Sequence, residues 1–292
     1  MAEPIRVAAR RGGTVESVHR VHAVAVRDGE VVAAAGDPAF VTFLRSSAKP
    51  IQALPLARER ADVDDCDLAI ASASHLASDE QLAAVRALLA KAEATEDDLE
   101  CGPYEGSRLK HNCSGKHAGM LALCRTSGWP TEDYRLPEHP CQQVMLAEIA
   151  GAAELDTAGL STAIDGCGVV TVALSLRTMA HAFTRIESMD GGRAVADAMR
   201  AHPELMRGPV PLDTGLMQAQ PGWIAKGGAE ALFCAAGPDG VGIALKVEDG
   251  NARALRPALG VFLEQLGLES SPFGPVELRN SRDDVVGSIE RM

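Results

Sequence analysis

The chain has 292 residues, of which 46% are hydrophobic and 23% are charged, and its formal net charge at pH 7 is −12. This length suits one large core or two modest domains, and the acidic balance argues against nucleic acid and acidic membranes as partners. No apolar run approaches the roughly 18 residues of a membrane helix, and the N-terminus lacks the apolar stretch of a signal peptide, so we expect a cytoplasmic protein. Seven cysteines without a C-x-x-C pair favour reduced thiols over a disulfide framework.

Strand patterns lie towards both ends of the chain. Residues 16–26 are rich in valine and partly alternating, and a turn at 27–29 separates them from residues 30–35, which predicts an antiparallel hairpin. A second hairpin is predicted from residues 223–235 and 241–247, which flank the turn sequence Gly237-Pro238-Asp239-Gly240.

Helical patterns fill the middle of the chain. Apolar residues recur at three- and four-residue spacing over 79–92, 117–127, 140–153, 170–186 and 192–201, and residues 253–266 form a closing helix. We therefore predict an α+β sandwich, in which N- and C-terminal strands form one antiparallel sheet and the helical middle covers it. No linker or repeat divides the chain, so we expect a single domain over residues 1–292.

Lysine is scarce in this chain, with six residues against 22 arginines. Burial can shift the pKa of lysine far enough to give a neutral base or a metal ligand, so the placement of the few lysines is informative. Three of the six lie in short motifs, which are Ser46-Ser47-Ala48-Lys49, Cys113-Ser114-Gly115-Lys116 and Lys226-Gly227-Gly228.

The first motif suits nucleophilic catalysis. In a helix, Lys49 lies one turn from Ser46, and an unprotonated amine there could take the proton of Ser46 as it attacks a carbonyl. The alternative is that Ser46 is a helix N-cap and Lys49 is solvated. A second Ser-x-x-Lys match, Ser107 with Lys110, lies in a polar stretch and is interpreted as chance, whereas Lys49 leads into an apolar segment.

Two further positions carry candidate chemistry. Ser78 has a structural role, because Gln81 follows it by three residues in a capping-box pattern, whereas Ser74 is free to be a second active-site hydroxyl. Lys226 precedes two glycines that would let a substrate approach a strand edge; alternatively, it is a lysine at a strand end with glycines at a bulge.

Cysteines contribute the third pattern. Cys113 begins a cluster that ends at His117, and Cys167 lies in the glycine-flanked segment Asp165-Gly166-Cys167-Gly168. Two thiolates could hold zinc, and His117 or Asp165 would be the usual further ligands because a lysine must first lose its proton. The alternatives are two buried structural cysteines, or a Cys113 nucleophile with His117 as its partner.

Taken in order along the chain, these segments resemble the asparaginase II family, the thermolabile, inducible kind. The resemblance runs from about Val7 to Leu266 and is carried by Arg45-Ser46-Ser47-Ala48-Lys49-Pro50, Ala73-Ser74-His75, Asn112 to Met120, His139-Pro140, Asp165 to Gly168, Lys226 to Glu230 and Ala244 to Gly250. It implies a serine β-lactamase-like fold and hydrolysis of L-asparagine to L-aspartate and ammonia, usually by a homodimer.

The resemblance also implies residue roles. The family's two Ser-Lys tandems fall on Ser46 with Lys49 and on Ser74 with Lys226. Its zinc site falls on Cys113, Lys116 and Cys167, with one zinc per chain that orients the substrate rather than generating hydroxide.

The chain departs from the family pattern at Leu76 to Asp79, where a Gly-Glu pair is common, at His111, where Asn is common, and at Val169-Val170. These departures bear on substrate preference and rate more than on the fold. Two other classes remain open, a cysteine-dependent amidase using Cys113 and His117, and a non-catalytic homologue that binds zinc or a small molecule.

Overall fold

The computed structural model describes residues 2–208 and 211–292. The strands in this part of the chain are β1 (Ile5–Arg11), β2 (Thr14–Arg27), β3 (Glu30–Ala35), β4 (Val41–Phe43), β5 (Ser161–Ile164), β6 (Val170–Ser175), β7 (Ile224–Gly228), β8 (Leu232–Ala236), β9 (Gly242–Val247), β10 (Val276–Arg279) and β11 (Val285–Arg291). The helices are α1 (Lys49–Gln52), α2 (Leu54–Glu59), α3 (Asp65–Ser72), α4 (Asp79–Lys91), α5 (Ser114–Ser127), α6 (Pro140–Ala153), α7 (Leu176–Arg185), α8 (Gly192–Ala201), α9 (Pro203–Arg207), α10 (Leu212–Ala219) and α11 (Leu255–Gln265).

The larger sheet joins the two ends of the chain. Its strand order is β10-β11-β1-β2-β9-β8-β7, with β3 paired to β2, and every pairing in it is antiparallel. Helix α7 packs against β2 and β9, and α11 packs against β1 and β11. The predicted α+β fold, with an antiparallel sheet of N- and C-terminal strands and a helical middle, is confirmed.

The smaller sheet corrects one prediction. Its order is β4-β6-β5, and β6 occupies residues for which a single helix over 170–186 was predicted. The first part of that prediction was wrong: residues 170–175 form a strand in which Val170, Val172 and Leu174 are buried. A short apolar run of this kind is compatible with a buried strand and with a buried helix, so its sequence does not distinguish the two. Helix α7 begins only after Ser175, whose side chain accepts a hydrogen bond from the backbone N–H of Thr178.

The hairpin near the C-terminal end contains one more strand than predicted. Residues 223–235 were expected to form one arm, but they form β7 and most of β8, which pair with each other. The chain reverses at Glu230 and Ala231, whose φ angles of 57° and 53° lie in the left-handed region. The predicted hairpin of β2 and β3 is confirmed, as is the turn between β8 and β9.

Buried apolar side chains form two clusters, one on the sheet and one among the helices. The sheet cluster includes Val24, Phe183, Phe233, Leu245 and Phe262. The helical cluster lies around α3, α4 and α5 and includes Ile70, Leu88, Leu121 and Tyr134. Helix α1 contributes to the first cluster and α2 to both, so the Ser46 segment lies where the two clusters meet. The expectation of a single domain over residues 1–292 stays a prediction.

Across residues 2–208 and 211–292, none of the helices combines the length and apolar character that crossing a membrane requires.

Candidate active site

Ser46 lies in a 3₁₀ turn, Arg45–Ala48, that connects β4 to α1. The backbone of Arg45 has a φ of 49°, which is unfavourable for a residue with a side chain. Two hydrogen bonds to β6 hold this conformation, because the Leu44 N–H donates to the Val172 carbonyl at 2.8 Å and the Arg45 N–H donates to Thr171 Oγ1 at 3.1 Å. Strand β6, whose residues were predicted to be helical, therefore holds the turn that carries Ser46.

The Ser46 side chain is half-buried and caps no helix. The N-cap of its turn is Leu44, the N-cap of α1 is Ala48, and neither contributes a side-chain cap. In the described part of the chain, the Ser46 hydroxyl makes no side-chain hydrogen bond, whereas the neighbouring Ser47 hydroxyl donates to the Lys226 carbonyl at 2.9 Å. The alternative interpretation of Ser46 as an N-cap is therefore wrong, and its hydroxyl is free to meet a ligand.

Lys49 is buried beneath the turn, with 1% of its surface exposed. Its Nζ donates to the Ala73 carbonyl at 2.5 Å, to Ser74 Oγ at 3.0 Å and to the Asn112 carbonyl at 3.3 Å. Burial lowers the pKa of Lys49 below its ordinary value, since an ammonium group is poorly solvated there. The structure thus brings Lys49 together with Ser74 by a direct hydrogen bond.

Lys226 is fully buried in β7 and has different partners. Its Nζ donates to the Gly227 carbonyl at 2.7 Å and lies 3.3 Å from Asp213 Oδ2. Burial lowers the pKa of Lys226 to about 8. Among the hydrogen bonds of the described residues, none joins Lys226 to Ser74, although sequence analysis placed them in one tandem.

Asp213 and Ser47 are contacts of Lys226 that sequence analysis missed. Asp213 is an acidic residue in the first turn of α10, which is a common position for an ordinary surface carboxylate. Ser47 was read only as a neighbour of Ser46. Neither residue carries a pattern in the sequence that distinguishes it, because their roles depend on β7 lying beside both segments.

The three predicted metal ligands lie together in a buried cluster. Lys116 Nζ is 3.1 Å from Cys167 Sγ, and the hydrogen bond from the Cys113 thiol is the main reason that the pKa of Cys167 falls to about 5. Burial alone would lower the pKa of Lys116, but the nearby sulfurs of Cys167 and Cys113 outweigh it and raise that pKa. The cluster therefore pairs a lysine whose pKa is raised with a cysteine whose pKa is lowered.

The donor set of this cluster fits zinc, which prefers sulfur and nitrogen ligands. No group of three or more His, Cys, Asp and Glu side chains suited to a metal is found within residues 2–208 and 211–292, and the cluster itself offers two sulfurs and the Lys116 amine. Asp165 Oδ1 is already engaged by Arg45 Nε and by the Gly166 N–H, both at 2.7 Å. His117 Nε2 is buried without a hydrogen-bond partner in the described chain, which leaves it available as a donor.

Cys113 and His117 do not have the geometry of a nucleophile and its base. His117 Nδ1 lies 2.8 Å from the Tyr134 hydroxyl, and its side chain makes no hydrogen bond to Cys113 within the described residues. Burial also lowers the pKa of His117 well below its ordinary value, and both side chains are inaccessible.

A cavity of about 400 Å³ reaches His75, which follows Ser74 in the chain, and Asn112, whose carbonyl accepts a hydrogen bond from Lys49. Its lining residues are His75, Leu76, Tyr104, Lys110, His111 and Asn112. Two of the positions that depart from the family pattern, Leu76 and His111, therefore face this space. The second Ser-x-x-Lys match is not a reactive pair, because Ser107 Oγ donates to Glu96 and Lys110 pairs with Glu105.

Comparison with known proteins places this geometry in a family. The model of the L-asparaginase II family matches residues 7–291, so the chain belongs to that family. Among curated proteins, no relative matches the chain by sequence.

Solved structures give more distant likenesses. The crystal structure of Mglu in its native form is 14% identical with a TM-score of 0.48, and the match covers 86% of this chain and 65% of that one. A β-lactamase from Mycobacterium bovis is 13% identical with a TM-score of 0.36, covering 85% of this chain and 95% of that one. The crystal structure of SurE with D-Leu is 14% identical with a TM-score of 0.40, and the match covers 91% of this chain and 72% of that one.

Proposed function

We propose that this protein hydrolyses the side-chain amide of L-asparagine to L-aspartate and ammonia through an acyl-enzyme on Ser46. The observation that carries the proposal is Lys49, a buried lysine of lowered pKa that is hydrogen-bonded to Ser74 and lies one turn from the free hydroxyl of Ser46. Membership of the L-asparaginase II family supports the amide substrate. The homodimer that the resemblance implies is part of the same proposal.

In the proposed reaction, neutral Lys49 takes the proton of Ser46 while Ser46 Oγ forms a bond to the amide carbon. Backbone N–H groups of the turn stabilise the oxyanion. The carbon–nitrogen bond then breaks, and the proton on Lys49 reaches the departing ammonia through Ser74, along the 3.0 Å hydrogen bond. Water hydrolyses the ester on Ser46 with Lys49 again as base, which releases aspartate.

Cys113, Lys116 and Cys167 would hold the zinc ion of this proposal. When bound, zinc would supply a fixed positive charge that orients a carboxylate-bearing substrate. Lys116 must release its proton before it can act as a ligand, while Cys167 already favours the thiolate form.

Ser46→Ala and Lys49→Met test the assignment. Each variant should release ammonia from asparagine at less than a thousandth of the wild-type rate, because the first loses the nucleophile and the second loses the base. Circular dichroism should show an unchanged fold. Ser107→Ala is the matched control, since it alters the other Ser-x-x-Lys sequence and should keep full activity.

The same ammonia assay separates the alternatives. Wild-type-like turnover by Ser46→Ala, together with loss of activity after iodoacetamide labels Cys113, would favour the cysteine-dependent amidase. No ammonia from asparagine, glutamine or β-aspartyl compounds would favour the non-catalytic homologue. Relative rates on these substrates also measure the substrate preference.

A further inference from the structure

Asp213 is a buried carboxylate for which the proposed reaction has no direct use. Only 3% of its surface is exposed, and it lies near the start of α10. Its Oδ2 accepts a hydrogen bond from the Gly227 N–H at 2.9 Å and lies 3.3 Å from Lys226 Nζ. A buried carboxylate is costly unless it is paired with a positive charge and hydrogen-bonded. Asp213 meets both conditions through β7, because Lys226 supplies the charge and Gly227 supplies the N–H donor.

The two glycines after Lys226 make room for this arrangement. A Cβ on Gly227 would lie 2.9 Å from Asp213 Oδ1, and a Cβ on Gly228 would lie 3.0 Å from Ser47 Oγ. The strand is therefore approached by α10 and by the turn that carries Ser46. Lys226 is held at both ends, with its carbonyl bound by Ser47 and its ammonium group bound by Asp213.

Among the charged groups near Lys226, Asp213 favours the protonated lysine, whereas the others disfavour it. Burial is the largest influence lowering the pKa of Lys226, and the charges of Lys49 on α1 and Arg207 on α9 add to it. The paired residue on β8, Cys234, faces Lys226 as a buried thiol whose pKa is raised by burial to about 12, so it supplies no negative charge at neutral pH. Asp213 is the opposing group.

We propose that Asp213 is a positioning residue for Lys226, which fixes its ammonium group in the site and keeps it protonated while the reaction runs. Asp213 thereby fixes one positive charge on β7 beside the turn that carries Ser46, to which the Ser47 hydroxyl links the Lys226 carbonyl. The proposal rests on the proposed function, because it assigns Asp213 a part in the same acyl transfer.

Asp213→Asn is the decisive variant. Its amide oxygen can still accept the Gly227 N–H, but its charge is gone. We expect kcat to fall about tenfold at pH 8, with KM changed less than twofold. In the pH profile of kcat, the limb that reports the deprotonation of Lys226 should move at least about one pH unit towards acid. Ser47→Ala is the matched control, since it removes the hydrogen bond at the other end of Lys226 and should leave that limb in place.

Two results would overturn the proposal. One is a wild-type pH profile in Asp213→Asn; the other is an equal loss of kcat in both variants with no movement of the limb, which would make Asp213 merely structural. Titration of the lysine ¹³Cε signals by NMR provides a readout without turnover, because the chain has only six lysines and Lys226→Met identifies the relevant signal. The midpoint for Lys226 should be lower in Asp213→Asn, and an unchanged midpoint would also refute the role, even if wild-type protein releases no ammonia.

Discussion

The three motif lysines are all buried, but each has a different kind of partner. Lys49 donates to neutral oxygens, Lys116 contacts a sulfur and Lys226 faces a carboxylate. The sulfurs outweigh burial and raise the pKa of Lys116, whereas burial outweighs the Asp213 carboxylate and lowers the pKa of Lys226 to about 8. At Lys49, whose oxygen partners are neutral, burial is the largest influence and lowers the pKa.

The lowered pKa of Lys226 predicts how stability depends on pH. Between pH 8 and 10.5 the unfolded chain holds a proton on this lysine that the folded chain has begun to release, so the free energy of unfolding rises with pH in that window. The shift from 10.5 to about 8 corresponds to about 3 kcal/mol. Urea unfolding at pH 7 and pH 10.5 measures the rise.

The matched variant for this measurement is the double substitution Lys226→Met with Asp213→Asn, which removes both buried charges together. Between pH 7 and 10.5, the wild-type free energy of unfolding should increase by about 3 kcal/mol more than that of the variant. Parallel pH dependence of the two proteins would contradict the prediction.

The burial of the three motif lysines could be predicted from residue types, but their pairings could not. The scarcity of lysine indicated Lys49, Lys116 and Lys226, and these three prove to be buried. The sequence does not encode where a long side chain points, so the contact of Lys49 with Ser74 and the part played by Asp213 depended on how α1, α10 and β7 pack.

Elements were predictable where a local signal marks their ends. Helix α4 begins at its predicted residue because Ser78 caps it, and α6 has its predicted bounds, with Pro140 at its first position. Strand β6 was missed because Val170 to Ser175 is apolar and lies directly before a true helix, so nothing polar separates the two. Strands β10 and β11 were also missed, since they are short and only Ile289 among their residues is buried, which leaves little apolar pattern.

The capping box of α4 leads to a stability prediction at the scale of this element. Ser78 Oγ accepts the Gln81 N–H, and Gln81 Oε1 accepts the Ser78 N–H. Buried Gln81 also donates to the carbonyls of Glu204 and Leu205, which ties α4 to α9. Ser78→Ala should therefore lower the free energy of unfolding by about 1 kcal/mol, and Gln81→Ala by about 2 kcal/mol, because it also removes the part-buried hydrogen bonds to α9.

Urea unfolding of both variants measures these differences, and the exposed Glu80→Ala in the same helix turn serves as the control. Equal losses for Ser78→Ala and Gln81→Ala would show that the contacts to α9 contribute nothing. Ammonia release should stay within twofold of wild type for Ser78→Ala, since its hydroxyl acts only on the helix end.

At the scale of the whole molecule, the site lies between the two buried clusters. The sheet cluster includes side chains of β6, β7 and α1, whereas the helical cluster includes Cys113 and Cys167. Cys167 lies in the segment between β5 and β6 of the smaller sheet, and Lys116 belongs to α5, so the contact between them joins this segment to α5. A metal bound there would connect parts of the chain that are distant in sequence.

Zinc should therefore stabilise the fold as well as complete the site. Inductively coupled plasma analysis of zinc-loaded protein should find about one zinc per chain, and free zinc at a hundred times its dissociation constant should add about 3 kcal/mol to the free energy of unfolding. For a chain of this size the melting temperature should rise by about 5 °C over that of chelator-treated protein. Cys113→Ala with Cys167→Ala should bind no zinc and show no such shift, whereas Cys66→Ala, at an exposed thiol outside the cluster, should behave like wild type. Equal zinc content in the double variant would place the metal elsewhere, because both predicted sulfur ligands would be absent.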